Sequence, residues 1–288
     1  MTTAALTAPA CRSLRDSVEV WGTVVTIDLR DVDSTWPAED AIAAALGEAT
    51  AHLHRIDRVF STCRPDSLVS RYRSGELSRA ELESSAEDDD VALLLTVIEA
   101  CERGRELTEG AFDPWAVDGG FDPSGYVKGW AAQTVADRLV THGLRHVCVN
   151  AAGDLTVRGL ADVGTAWRVG VPHPEDRLTL VHSFDLTDGA AATSGFSERG
   201  EHIVVPSSGP SIPPTSSRTS ASSSIGEPRW TGHGARQTTV WGPDAGWCEI
   251  LSTGLMVADR CGLDWFAQLP GYRAFCVDAT ENRVFRMG

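Results

Sequence analysis

The chain has 288 residues, 42% of them hydrophobic, which suffices for a sizeable core in one large domain or two small ones. Its formal net charge of −15 and pI of about 4.9 set it against the polyanionic backbone of a nucleic acid. No stretch is long and apolar enough to be inserted in a membrane.

Residues 1–16 are small and polar and read as a disordered N-terminal tail. Val18 to Leu29 reads as a strand interrupted at Gly22. Ser34 to Phe60 carries Pro37 near its start and Ile42, Leu46, Leu53, Ile56 and Val59 at helical spacing. Residues 60–76 form an irregular polar segment. A second helix is expected over 88–106, with the acidic run Glu87-Asp88-Asp89-Asp90 at its N-terminus, where the helix dipole favours carboxylates. The loop Gly110-Ala111-Phe112-Asp113-Pro114 leads to the most informative stretch, Phe121 to Asp154.

That stretch opens on a turn, Asp122-Pro123-Ser124-Gly125, which starts a helix with Val127, Trp130, Ala131, Val135 and Leu139 on its apolar face. Gly143 ends it. A short strand from His146 to Val149 follows and breaks at Asn150-Ala151-Ala152-Gly153-Asp154. The first break presents backbone N–H groups at a helix start, an arrangement that suits phosphate or pyrophosphate. Of the 25 basic residues one is lysine, Lys128, and the other 24 are arginine. A site that needs a compact ammonium cannot accept the guanidinium fork.

Strands are then expected at Leu155–Arg158, Trp167–Val171, Leu178–Leu186 and Ala190–Thr193. The stretch from Pro206 to Ile225 holds nine serines and four prolines in 20 residues. It reads as part of a long irregular Ser/Pro-rich loop over 206–236. Thr238–Trp241, a helix from Cys248 to Cys261, and strands at Arg273–Val277 and Arg283–Met287 close the chain. Strands and helices mix without strict βαβ alternation, so the fold class is α+β, one domain over 17–288. Seven cysteines, an odd number without CxxC spacing, read as reduced and mostly buried thiols, which places the chain in the cytoplasm. Leu6-Thr7-Ala8-Pro9-Ala10-Cys11 lacks the basic start and apolar run of a lipoprotein signal.

Several ordered motifs together resemble the ApbE family of FAD:protein FMN transferases, from about Val18 to the end. They are Trp21-Gly22-Thr23, the Phe60-Ser61 and Pro65-Asp66-Ser67 segment, Gly110 to Pro114, Asp122 to Gly129, and Val149 to Asp154. Ala192-Thr193-Ser194-Gly195, His202 to Pro206, and Cys248 to Thr253 complete the set. The resemblance implies cleavage of the FAD pyrophosphate, with Mg²⁺, and transfer of FMN to a Thr or Ser hydroxyl of a partner flavoprotein. It implies FAD contacts from Trp21, Asp122, Ser124, Gly125, Tyr126, Lys128, Asn150, Gly153, Asp154, Thr193, Ser194 and Gly195. Lys128 would balance phosphate charge or hold the Asp122 side of the turn, and His202 would act as base toward the acceptor hydroxyl or contact the pyrophosphate. Glu249 and Thr253, four apart and hence on one helix face, would ligate the metal with oxygen. Four positions depart from the family pattern. Glu249 stands for Asp, Ala152 for the first Gly of a Gly-Gly pair, Val205 for Asp, and Arg73 for Asn. The same site would also serve an FAD pyrophosphatase that releases FMN and AMP. With the metal site weakened, the protein would bind FAD without catalysis.

Overall fold

The computed structural model describes residues 11–176, 178–195, 235–278 and 284–287. The fold is α+β. Among the described residues an eight-stranded antiparallel sheet is flanked by helices and by a separate hairpin. Its first two strands, β1 (Arg12–Val20) and β2 (Thr23–Asp31), form a hairpin around Trp21 and Gly22. Both take positive φ, 56° and 66°. The strand expected from Val18 to Leu29 is thus two strands, folded back where Gly22 accepts the left-handed conformation. The tail expected over 1–16 ends earlier than that. Residues 12–16 pair with β2, and Arg15 and Arg30 both bind Asp28. Its alternation was masked because the strand lies at the sheet edge and turns polar residues to water.

Helix α1 (Glu39–Phe60) begins five residues later than the spacing suggests. Ser34 takes φ 55°, and the Asp31 carboxylate accepts the N–H groups of Thr35 and Trp36, which holds a turn ahead of Pro37. The polar segment after it contains a short helix, α2 (Leu68–Arg73). Ser67 caps it by accepting the Ser70 N–H. Helix α3 (Arg79–Ser84) carries a reciprocal capping box between Ser78 and Glu81. Helix α4 (Asp89–Leu107) starts on the acidic run as expected, with Asp88 accepting the N–H groups of Asp90 and Val91.

Helix α5 (Ser124–Thr141) is the centre of the molecule. It packs between α1 and the strands β3 (Val147–Ala151) and β4 (Asp154–Arg158). Val127, Ala131, Val135 and Leu139 are buried there, facing a core that includes Val25, Ile27 and Leu29 of β2. Removing each such valine or leucine side chain from water contributes roughly 1.5–3 kcal/mol. Beyond β4 the sheet continues through β7 (Gly189–Gly195), β8 (Ala235–Gly242), β9 (Arg273–Asp278) and β10 (Val284–Met287). Strand β8 includes Ala235 and Arg236, which correct the far end of the loop expected over 206–236. The rest of that loop, up to residue 234, lies outside the described residues.

Helix α6 (Ala245–Ala258) packs on β7 and β8 and continues into a 3-10 turn at Asp259–Gly262 and a short α7 (Leu263–Phe266). It starts earlier than Cys248 because Asp244 caps it through the Trp247 N–H. Period-two alternation gives the sheet two covered faces. Val240 and Ala274 turn toward α6, while Trp241 and Phe275 turn toward the hairpin of β5 (Trp167–Pro172) and β6 (Leu180–Leu186). Phe184 stacks on Trp241 at 4.2 Å and His182 on Phe275 at 4.7 Å, which seats that hairpin. All seven cysteines are free, and among the described residues no helix is long and apolar enough to cross a membrane.

Candidate active site

The site begins with the meeting of α5 and α6. Gly129 lies so close to α6 that a Cβ there would stand 2.6 Å from the Ala245 carbonyl oxygen. Near the start of α5, Gly125 leaves helical geometry, with φ −76° and ψ 17°. The Gly129 N–H, four residues on, donates instead to Glu249 Oε2 at 3.0 Å. The close approach sets the second contact: Lys128 Nζ lies 2.6 Å from Glu249 Oε1 and 2.6 Å from Asp154 Oδ2. Asp154 is placed by the β3–β4 turn. There Ala152 and Gly153 take φ 56° and 102°, and the Asn150 side chain accepts the Gly153 N–H.

This triad is buried, with Asp154 and Glu249 exposed by only 3% and 4%. Burial by itself would lower the Lys128 pKa, but the charges of Asp154 and then Glu249 outweigh it and hold the ammonium protonated. Burial and the neighbouring Asp154 charge push Glu249 upward, against the pull of Lys128. One ammonium serves two carboxylates, so the triad carries an excess negative charge only when Glu249 is ionised.

A second cluster is made of hydroxyls. Ser194 Oγ, at the end of β7, lies 2.8 Å from Ser252 Oγ and 3.0 Å from Thr253 Oγ1 on α6. Thr193 pairs with Thr239 across β7 and β8 at 2.9 Å. Glu249 and Thr253, one helical turn apart, do face the same side.

Triad and hydroxyls open on one cavity of about 330 Å³, at the lower end of the range for small-molecule sites. Asp122, Ser124, Gly125, Lys128, Asn150, Gly153, Asp154, Thr193, Ser194, Gly195, Glu249 and Thr253 all line it. Two expected flavin contacts are elsewhere. Trp21 sits in the β1–β2 turn, packed against the core. Tyr126 is buried between α5 and α6, stacked with Trp130 and pressed on Gly246. It does not line the cavity, and its ring serves the core. His202 and Val205 lie outside the described residues. The helix start is less open to an anion than the turn suggests, because the Asp122 carboxylate accepts the Ser124 N–H.

The cavity also has walls that the sequence reading missed. Val169, Gly170, Val171 and His173 from the β5 side line it, as does Gln237, whose side chain donates to the Pro172 carbonyl. The signal was the alternating run at Trp167–Val171, but alternation says which residues are buried and not against what. Arg73, the departure from Asn, donates to the carbonyls of Asp118 and Gly119, and so holds the loop that leads to Asp122.

The ApbE family's sequence profile matches residues 116–276. The FAD:protein FMN transferase of Vibrio cholerae serotype O1 is 32% identical over 97 residues. That alignment covers 31% of this chain and 29% of the relative, so it spans less than a third of that protein's length. The flavin transferase ApbE from Vibrio cholerae superposes with a TM-score of 0.71 at 20% identity, covering 96% of this chain and 97% of that one. The apo flavinyl transferase ApbE of Pseudomonas stutzeri gives 0.69 at 20% identity, over 96% and 94%. The ApbE protein of Thermotoga maritima gives 0.68 at 21% identity, over 96% of each chain. These structures share the fold, the profile spans more than half of the chain, and the chain belongs to the ApbE family.

Proposed function

We propose that this protein is an FAD:protein FMN transferase that splits the FAD pyrophosphate and attaches FMN to a Thr or Ser hydroxyl of a partner flavoprotein. The observation that carries the reading is that twelve positions from motifs spread over Asp122 to Thr253 line one cavity, Lys128 among them. In the reaction, the acceptor oxygen bonds to the FMN phosphorus and the bond from that phosphorus to the bridging oxygen breaks. AMP leaves with the bridging oxygen, and the hydroxyl proton passes to a base, His202 in this reading. Such a transfer needs positioning and charge neutralisation more than a covalent nucleophile. Lys128 supplies a compact positive charge, and the turns at Gly125 and Gly153 let backbone approach the phosphates.

The donor set suits Mg²⁺ in kind. Glu249, Thr253 and Ser194 offer oxygen only, and a metal ion on Glu249 would favour its ionised form. Among the described residues no group of three or more His, Cys, Asp or Glu could hold a metal. A site of one carboxylate and hydroxyls fits the habit of Mg²⁺, which takes substrate phosphates and water as its remaining ligands. When bound, the ion would neutralise charge on the transferring phosphoryl group. The unpaired cysteines support a reducing, cytoplasmic setting.

One observation favours a second reading, FAD binding without turnover: both Glu249 oxygens are engaged within the chain. The two part on a simple assay. Incubation of the full chain with FAD, Mg²⁺ and a flavoprotein that offers an acceptor Thr or Ser is expected to release AMP as FMN is attached, and Glu249→Gln is expected to abolish that release while FAD still binds. Wild-type turnover in Glu249→Gln contradicts the metal assignment. Absence of AMP from the wild type favours the second reading.

A further inference from the structure

We infer that Lys128 is the resident cation of the Glu249 carboxylate, and that a divalent cation reaches Glu249 only after the FAD pyrophosphate has drawn Lys128 away. The inference rests on the proposed binding of FAD in this cavity. Three observations carry it.

Lys128 Nζ stands 2.6 Å from Glu249 Oε1, inside the space a metal on that oxygen would need. The other oxygen is held at 3.0 Å by the Gly129 N–H, on a backbone fixed by its packing against Ala245. The carboxylate is buried, and both of its oxygens are engaged in this way. An ammonium and a divalent ion on one buried carboxylate repel each other strongly at low dielectric. In the free protein the lysine therefore excludes the metal.

The lysine itself is not locked away. Its side chain is 17% exposed and it lines the cavity. An ammonium has three N–H donors, and the two carboxylates engage two of them. The third remains for a phosphate oxygen. A pyrophosphate in the cavity gives Lys128 an alternative anion while bringing its own oxygens to the metal. Substrate thus both opens Glu249 and completes the cation's shell, so metal binding follows FAD binding.

Because Lys128 is the single lysine of the chain, protein labelled with [¹⁵N]lysine reports its Nζ as one NMR signal. In the labelled full chain without FAD, Mg²⁺ is expected to leave that signal in place, whereas FAD without metal is expected to shift it. A shift by Mg²⁺ alone, or none with FAD, overturns the inference. Binding of Mn²⁺ as a paramagnetic stand-in, read by electron paramagnetic resonance without FAD, gives a second test. Lys128→Met is expected to bind Mn²⁺ about ten-fold or more tighter than wild type, the consequence of removing one adjacent positive charge. The gain is expected to vanish in Lys128→Met/Glu249→Gln. Equal affinity in wild type and Lys128→Met, or a gain that survives in the double variant, overturns the inference. If Lys128→Met does not fold, the wild-type NMR titration decides alone. Failure of the functional reading shows separately, as no AMP from FAD when an acceptor flavoprotein is present, and leaves the Mn²⁺ comparison intact.

Discussion

Gly129 is where a single atom decides the geometry of the site. A Cβ there would press on the Ala245 backbone, which cannot rotate out of the way. Gly129→Ala is expected to cost roughly 1–3 kcal/mol, the range for overpacking a tight contact, measured by urea denaturation. An unchanged midpoint would show that α5 and α6 can separate freely. The reverse case is Ala152, a non-glycine residue at φ 56°. Ala152→Gly relieves the left-handed strain, less the added freedom of the unfolded chain, and is expected to stabilise by roughly 0.5–1 kcal/mol. A drop in melting temperature would contradict this. The Ala152 departure was readable in the sequence as an alanine where the family pattern has glycine, and its φ of 56° shows what the glycine would accommodate. The roles of Trp21 and Tyr126 were not, because an aromatic ring beside a motif looks the same whether it faces a ligand or the core.

Between elements, the α1–α5 contact contains a buried histidine. His52 Nε2 lies 3.0 Å from Thr134 Oγ1. Burial first, then the charges of Arg138 and Arg55, hold its pKa down to about 4 from an ordinary 6.5. The folded state keeps His52 neutral while the unfolded chain protonates near 6.5. Its contribution is therefore complete above 6.5 and is lost as pH falls toward about 4. Melting temperatures across that window are expected to fall more steeply for wild type than for His52→Asn. Parallel curves would remove His52 from the account. At this scale the helices α1, α4, α5 and α6 were legible from periodicity and caps. Helix α2 was not, because six residues give too little period to see. The β5–β6 hairpin was legible as two strands, but its place as a cavity wall depends on stacking between residues some 60 to 90 positions apart, Phe184 on Trp241 and His182 on Phe275.

For the whole molecule, the sheet order and helix packing bring positions from Asp122 to Thr253 around one volume. No local pattern in the sequence carries that convergence; the ordered set of family-like motifs does. The members of the ion triad stand in three separate motifs, but no motif shows that they pair, since that depends on how closely Gly129 admits α6. In the proposed function this cavity binds FAD with its pyrophosphate at Lys128. Titration of FAD into the full chain, followed by flavin fluorescence, tests it most directly, with circular dichroism confirming that each variant is folded. One saturable site is expected, weakened about ten-fold or more in Lys128→Ala, or about 1.4 kcal/mol. No saturable binding by the wild type, or unchanged affinity in a folded Lys128→Ala, would contradict the account.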